Sequence, residues 1–79
     1  MPNKEQTEIN LKLILEEIKN NGYELAISKT ELIRIINKFA LNPYPYINRL
    51  QIDNYIALEP NDKTYKIISL EYKGENNTL

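Results

Sequence analysis

Cysteine and histidine are both absent from this chain of 79 residues, and that absence narrows what the chain can fold into more than any other feature. Without them the chain forms no disulfide and lacks the usual zinc ligands, so an apolar core alone must hold the fold together. The length fits one domain, and a domain this small buries only about 60% of the surface of its unfolded chain. Thiolate nucleophiles and histidine general bases are excluded for the same reason.

The positive charge lies in the middle of the chain. Residues 25–70 carry six basic and four acidic side chains, whereas residues 1–24 carry three basic and five acidic ones. The net charge of the whole chain is −1, far from the strongly basic footprint of a typical polyanion-binding domain. The middle is therefore mildly basic and the two ends are acidic.

Neither a membrane span nor a secretory signal is expected. No run of apolar residues approaches the ~18 that a membrane helix needs. Residues 1–10 are polar and charged, unlike a signal peptide. Apolar residues make up 42% of the chain and charged residues 27%, the proportions of a globular domain. Without disulfides, the expected location is the cytoplasm.

The spacing of apolar residues near the start of the chain predicts a helix over residues 5–20. Asn21 and Gly22 should end it, because glycine suits the left-handed position after a helix. Ile9 and Leu13 point roughly away from the main apolar face, and a helix that is apolar on two sides needs a second partner. We expect these two side chains to be covered by the N-terminal segment or by another chain. The main apolar face consists of Leu11, Ile14, Leu15 and Ile18.

Two more helices are predicted in the middle of the chain. After an extended stretch over residues 23–27, Ser28 and Glu31 form the S-x-x-E capping pattern at the start of a helix over residues 29–40. Asn42 is a suitable N-cap for a third helix over residues 43–53, in which Pro43 fits the first position. The inward side chains of the two helices are expected to be Leu32, Ile35, Ile36, Phe39, Ile47 and Leu50, with Tyr46 packed as well.

Alternating side chains near the C-terminus predict a β-hairpin. Its strands are expected over residues 55–59 and 64–72, joined by turn-forming residues 60–63. In the second strand, Tyr65, Ile67 and Ser69 should face one way, and Lys66, Ile68 and Leu70 the other. Residues 73–79 are polar and lack periodicity, so a flexible tail is expected after a single domain over residues 1–72.

The predicted order of elements resembles that of winged helix-turn-helix domains, and the resemblance covers about residues 8–72. The segment RLQIDNYI, which begins at Arg49, is similar to the R-L-x-x-x-G-[LY]-I pattern that ends the recognition helix in this family. Asn54 stands where the family has glycine, and asparagine tolerates positive φ better than most side chains. The stretch between Leu32 and Ile47 is longer than usual. The resemblance implies an α+β fold with three helices and a C-terminal β-hairpin wing.

The resemblance also implies that the third helix enters the major groove of duplex DNA while the wing touches the backbone. Arginine can bond guanine, asparagine and glutamine can bond adenine, and isoleucine can meet the thymine methyl group. Phosphate contacts are expected from the wing lysines and from the second helix, whose N-terminus attracts anions. The candidate nucleic-acid-binding residues are Lys29, Arg34, Lys38, Tyr44, Asn48, Arg49, Gln51, Ile52, Lys63 and Lys66.

Each candidate has an alternative interpretation. The polar residues of the third helix can form a solvated face, and Arg49 can pair with Asp53 instead of with a base. Scattered lysines are equally typical of a soluble surface, and two acidic residues weaken the wing as a phosphate binder. Tyr44 and Ile52 suit a protein interface as well as a base.

Two functions are therefore expected to compete. The first is a small DNA-binding winged-helix protein, a transcriptional regulator that forms a homodimer through Ile9 and Leu13. The alternative is a winged helix that binds only proteins, as an accessory subunit of a replication or transcription complex or as a phage inhibitor. We expect no enzymatic activity, cofactor or metal site, because the adjacent carboxylates Glu16 and Glu17 do not converge on a helix and two glycines make no phosphate loop.

Overall fold

The computed structural model describes residues 3–74, which form three helices and three strands. The helices are α1 (Lys4–Asn20), α2 (Lys29–Ile36) and α3 (Tyr44–Ile52). The strands are β1 (Ala26–Ser28), β2 (Ile56–Leu58) and β3 (Thr64–Ile67), and β1 lies between α1 and α2 in the chain. The predicted α+β class is confirmed, and the size and order of the elements are compatible with a winged helix.

The three strands form one antiparallel sheet in the order β1-β3-β2. Tyr65 of the central strand lies opposite Ile27 on one side and Leu58 on the other, so the three side chains lie on one face of the sheet, where Tyr65 and Ile27 are buried and Leu58 is exposed. The predicted hairpin is confirmed, and β1 joins it as a third strand. As a result the start of α2 lies beside the tip of the hairpin, where the Lys29 N–H donates to the Lys63 carbonyl at 2.9 Å.

Helix α1 begins one residue before its predicted start and has the predicted end and buried face. It begins at Lys4 because the Asn3 side chain accepts a hydrogen bond from the Gln6 N–H at 2.7 Å. Gly22 follows its end at a φ of +88°, the left-handed conformation expected of it. The side chains buried against the sheet and the other helices include the predicted Leu11, Ile14, Leu15 and Ile18.

Helix α2 begins as predicted but is shorter. The Ser28 hydroxyl accepts a hydrogen bond from the Glu31 N–H at 3.1 Å, which is one half of the expected capping box. The prediction that the helix reaches residue 40 is wrong, because it ends at Ile36. Beyond that point Phe39 N–H bonds to the carbonyl only three residues back, at 2.8 Å, which tightens the chain into a turn. Phe39 nevertheless packs against the core as expected.

Helix α3 begins one residue later than predicted. Pro43 is the N-cap residue rather than the first helical residue, and Pro45 lies in the first turn. Asn42 still contributes, since its side-chain oxygen accepts a hydrogen bond from the Tyr44 N–H at 3.3 Å. Three side chains of α3 are buried, namely the expected Tyr46, Ile47 and Leu50.

The end of α3 confirms the interpretation of Asn54. Its φ is 64°, so it occupies the left-handed position that glycine would otherwise fill. The Tyr55 N–H then bonds back to the Leu50 carbonyl at 2.8 Å, and the Asn54 N–H to the Gln51 carbonyl at 3.1 Å. This is a Schellman arrangement, and it directs the chain straight into β2.

Strand β3 ends earlier than its alternating pattern predicts. Pairing with both neighbours stops at Ile67, and the Ile68 N–H turns to the Tyr55 carbonyl at 2.8 Å. Leu70, expected on the same side of the strand as Lys66, packs against the core together with Tyr72, whereas Lys66 is exposed. Residues 75–79 of the expected tail lie outside the described residues, whereas the Lys73 N–H donates to the Tyr55 hydroxyl at 2.7 Å.

One apolar core joins all six elements. Its side chains come from α1, α2, α3 and the inner face of the sheet, and Tyr55 is the largest that is fully buried. Within residues 3–74, no helix is long and apolar enough to cross a lipid bilayer.

Candidate functional site

The candidate residues fall into three groups in the structure. One group consists of lysines at the hairpin tip, on the central strand and at the start of α2. A second consists of cations that are paired with carboxylates on α1, α2 and α3. The third is a row of neutral side chains on α3. The groups are, in that order, Lys29, Lys63 and Lys66; Arg34, Lys38 and Arg49; and Tyr44, Asn48, Gln51 and Ile52.

The first group, which we call the wing lysines (Lys29, Lys63 and Lys66), is brought together by the β1–β3 pairing. Lys29 and Lys63 are joined through their backbones by the 2.9 Å hydrogen bond at the hairpin tip. Lys66 lies opposite Ala26 and Ala57 on the outer face of the sheet. In residues 3–74, none of the wing lysines forms an ion pair with a carboxylate. Their positive charge is therefore not balanced by a direct partner.

The hairpin tip that carries Lys63 is held by its own side chains. The Asn61 side-chain oxygen accepts hydrogen bonds from the Lys63 N–H at 2.9 Å and from the Thr64 N–H at 3.1 Å. Asp62 occupies the left-handed region at a φ of 64°, and its N–H donates to the Glu59 carbonyl at 2.9 Å. The turn therefore fixes the backbone position of Lys63. The acidic side chains of Glu59 and Asp62 do not pair with it.

Arg34 and Lys38 lie in the second group, because carboxylates already bind them. Arg34 Nε donates to Glu31 Oε1 at 2.9 Å, and Lys38 Nζ donates to Glu17 of α1. These hydrogen bonds hold the pKa values of Glu31 and Glu17 below their ordinary range. The two cations assigned to phosphate contact are thus balanced locally, and their phosphate contact stays a prediction.

Arg49 is the centre of a cluster that also contains Glu8, Asp53 and Tyr72, which we call the Arg49 cluster. Its Nε and Nη2 donate to Asp53 Oδ2 at 3.1 and 2.9 Å, and its Nη1 donates to Glu8 Oε2 at 2.9 Å. The Tyr72 hydroxyl donates to the other oxygen of Glu8. The Arg49 side chain is 30% exposed and that of Asp53 only 6%. The alternative interpretation of Arg49, pairing with Asp53, is the one that the structure contains.

The electrostatics of the Arg49 cluster keep its charges fixed. Burial acts to raise the pKa of Glu8, but the hydrogen bonds from Arg49 and Tyr72 outweigh it and hold that pKa below its usual 4.5. Burial, together with the hydrogen bond to Glu8, raises the pKa of Tyr72 to about 12. At neutral pH the cluster therefore holds an ionised Glu8 and a protonated Tyr72. It joins α1, α3 and the segment after β3.

Only part of this cluster can be predicted from residue spacing. Asp53 lies four residues after Arg49, the spacing at which helical ion pairs form. Glu8 lies 41 residues away, and nothing in the spacing connects it to Arg49. Lys73 adds to the same region, since its Nζ donates to the Asp53 carbonyl at 3.2 Å and lies 5.0 Å from the centre of the Tyr55 ring.

The third group forms an exposed row along α3, which we call the α3 stripe (Tyr44, Asn48 and Ile52, with Gln51 beside it). Successive members of the row are four residues apart, so they lie on one side of the helix. Tyr44 is 59% exposed and Ile52 68%, while Asn48 is exposed and Gln51 partly so. The stripe carries no charge, and its two ends are a phenol and an aliphatic side chain. It can therefore meet a base edge or an apolar partner.

A groove of about 650 Å³ lies on another side of α3, between α1 and the loop that follows α2. Tyr46 lines it and accepts a hydrogen bond from the buried Asn10 side chain at 2.9 Å, which confirms that Tyr46 is packed. Leu41, fully exposed, stands at its edge. The other residues that line the groove are Gln6, Thr7, Phe39, Ala40, Asn42, Pro45 and Arg49.

Ile9 and Leu13, the second apolar pair of α1, are exposed to solvent. Their exposed fractions are 48% and 39%, so the described N-terminal residues do not cover them. Contact with a second chain through this pair stays a prediction.

The described residues thus contain three candidate contact surfaces. They are the wing lysines, which form no ion pair with a described carboxylate, the uncharged α3 stripe, and the exposed pair Ile9 and Leu13. Comparison with other proteins adds no assignment: no family model matches the sequence, and no curated protein or solved structure matches the chain. Charge, exposure and hydrogen bonding in this chain are therefore the grounds on which a function can be proposed.

Proposed function

We propose that the protein is a winged-helix protein that binds duplex DNA. In this proposal the wing lysines contact the phosphate backbone and the α3 stripe faces the major groove. The observation that carries it is the contrast between the cations: the wing lysines have no carboxylate partner in residues 3–74, whereas Arg34, Lys38 and Arg49 do. A lysine without an internal partner binds phosphate without first breaking an ion pair, and it releases counterions from DNA.

The start of α2 strengthens the same surface. The first turn of a helix leaves N–H groups without helical partners and carries the positive end of the helix dipole. Two of these N–H groups are already bonded, that of Glu31 to Ser28 and that of Lys29 to the hairpin tip, so the dipole of α2 is what favours an anion here. Lys29 therefore lies where a phosphate would meet a lysine and the positive end of α2 together.

The proposed role is that of a transcriptional regulator in the cytoplasm, where a chain without disulfides is expected. Two copies joined through Ile9 and Leu13 would place two α3 stripes on separate half-sites of one duplex. Pairing of two weak sites raises the overall affinity without any new contact. Absence of enzymatic activity remains an expectation of this proposal.

The experiment that tests the proposal is the salt dependence of duplex binding. Fluorescence anisotropy of a labelled duplex of about 20 base pairs gives the association constant at several salt concentrations. The slope of log K against log salt is negative. We expect replacement of a wing lysine that contacts a phosphate by alanine to make this slope less negative by about 0.9. The variants are Lys63→Ala and Lys66→Ala, separately and together.

Lys12→Ala is the matched control, because Lys12 is an exposed lysine on α1 and its removal changes the net charge by as much as either single wing variant. We expect the control to keep the slope of the unchanged protein. Equal slopes for the double variant and for Lys12→Ala would contradict phosphate contact by the wing lysines. Absence of binding at low salt would contradict DNA binding altogether.

A protein partner is the second candidate function, and the α3 stripe is the observation that favours it. Tyr44 and Ile52 are large, exposed and separated by an uncharged residue, as in the centre of many protein interfaces. Ile52→Lys separates the two functions. A lysine there should remove a partner captured from lysate of the source cells, whereas duplex binding should persist with a steeper salt dependence, because the added charge can contact phosphate even though the contact of Ile52 with a base is lost. Loss of duplex binding without loss of a protein partner would exclude this second function.

A further inference from the structure

Helix α3 contains one charged side chain, and that side chain is already used inside the protein. Between Tyr44 and Ile52 the only charged residue is Arg49. Its Nε, Nη1 and Nη2 all donate to the carboxylates of Glu8 and Asp53. To reach a base, Arg49 would have to leave Asp53, whose side chain is 6% exposed. The cost of leaving a buried carboxylate without its arginine opposes that movement.

We propose that the α3 stripe reads A·T base pairs in the major groove, an inference that rests on the proposed binding of duplex DNA. Guanine is read mainly by arginine or lysine, which bond its O6 and N7 atoms together. With Arg49 held in its cluster, α3 has no cationic side chain to offer. Its remaining exposed polar groups are the Tyr44 hydroxyl and the amides of Asn48 and Gln51, and the amides match the N6 and N7 atoms of adenine. Ile52 offers an apolar surface that fits the thymine methyl group.

The spacing of these side chains suits neighbouring base pairs. Asn48 and Ile52 are four residues apart on one side of α3, a rise of about 6 Å along the helix axis. Base pairs in a duplex are about 3.4 Å apart, so the two side chains can reach bases one or two steps apart. Both are exposed, and Gln51 lies beside them. An adenine bonded by Asn48 can therefore adjoin a thymine in contact with Ile52.

The first test compares two duplexes of equal length at one salt concentration, one with an A·T-only centre and one with a G·C-only centre. We expect the unchanged protein to bind the A·T duplex at least about fivefold more tightly, the lower limit for one two-bond base contact. Asn48→Ala should bring the two affinities close together. Lys63→Ala should weaken both equally, because a phosphate contact does not depend on sequence. Asn20→Ala, an exposed asparagine at the end of α1, is the matched control and should keep the preference.

The second test separates the major groove from the minor groove. Replacing dT by dU removes only the methyl group. Replacing dA by 7-deaza-dA exchanges only the N7 acceptor for a C–H group. Both positions lie in the major groove. We expect dU to weaken binding of the unchanged protein but not of Ile52→Ala. We expect 7-deaza-dA to weaken binding of the unchanged protein but not of Asn48→Ala.

Three results would overturn the inference. Equal affinity for the A·T and G·C duplexes would exclude base readout by the stripe, while DNA binding itself would stand. A preference for A·T that survives both base replacements would place the readout in the minor groove instead. Absence of binding to either duplex at low salt would remove the proposed function, and the A·T inference with it.

Discussion

Arg49 has two interpretations, and the structure contains one of them, the ion pair with Asp53. Its position on the third helix is that of a base-contacting residue, and its spacing to Asp53 is that of a helical ion pair. The fold adds a second carboxylate to the ion pair, because α1 brings Glu8 to within 2.9 Å of the guanidinium, and contact with a base stays a prediction. Glu8 and Arg49 are 41 residues apart in the chain, and a contact at that separation leaves no periodic signal in the sequence.

Replacement of Arg49 by alanine is expected to destabilise the fold. The change removes hydrogen bonds to two carboxylates that are mostly buried, and hydrogen bonds to charged groups contribute about 1.5–3 kcal/mol each when both partners are shielded. Because the Arg49 side chain is itself 30% exposed, we expect a total loss of about 1–3 kcal/mol in the free energy of unfolding. Urea denaturation measures it, with Lys12→Ala as the control of equal charge. Equal stability of the two variants would contradict a structural role for Arg49.

The ionisation of Glu8 is expected to make stability depend on acid pH. Its folded-state pKa lies below the ordinary 4.5, so its contribution is fully present above pH 4.5 and is lost as pH falls through the lower, folded-state pKa. Glu8→Gln should lack this part of the acid dependence. Urea denaturation of both proteins from neutral pH to well below 4.5 measures the difference. Parallel pH dependence in the two proteins would contradict the assignment.

At the scale of elements, local chemistry predicts where helices begin and tertiary packing decides where strands end. The Ser28 cap and the left-handed Gly22 and Asn54 all act within one turn of the chain, so their sequence signals were sufficient. In the sequence, the alternation of side chains that predicts β3 continues to Leu70. In the fold, Tyr55 takes the Ile68 N–H, and Leu70 packs on the core. The end of β3 thus depends on contacts with segments that are distant in the chain. The alternation of side chains within one strand does not predict such contacts.

The turn between α3 and β2 offers a test of this local chemistry. Asn54 has a φ of 64°, and Asn54→Ala replaces a short polar side chain, which tolerates the left-handed region, with a methyl group that does not favour it. We expect Asn54→Ala to lower the free energy of unfolding by about 1 kcal/mol and Asn54→Gly to leave it equal or slightly higher. Thermal or urea denaturation gives both values. A glycine variant that is as destabilised as the alanine variant would contradict the backbone explanation.

At the scale of the whole molecule, the arrangement of charge could not be obtained from the sequence alone. The linear sequence shows a mildly basic middle, in which Lys29 and Lys63 are far apart. Pairing of β1 with β3 brings them together, and β1 was recognisable only as a short extended stretch. The same fold pairs Arg34 and Lys38 with carboxylates. The basic middle of the chain therefore contains cations that form ion pairs and, in the wing lysines, cations that do not.

Self-association is a prediction at this scale. If Ile9 and Leu13 join two copies, the unchanged protein should sediment as a dimer at high concentration, and Ile9→Lys with Leu13→Lys should sediment as a monomer. The charged side chains would have to be buried without a partner in such a dimer, which opposes association. Analytical ultracentrifugation of both proteins is the measurement. A monomer at all concentrations for the unchanged protein would contradict the dimer.

The most direct test of the central claim is an amide-resolved NMR titration of the protein with duplex DNA of random sequence. The wing lysines and the α3 stripe should together form the surface that contacts DNA. We predict chemical-shift changes at Lys29, Lys63 and residues 44–52 that grow at low salt and weaken at physiological salt, with α1 unaffected around Lys12. Absence of shifts at low salt, or shifts confined to α1, would contradict DNA binding through the wing and α3.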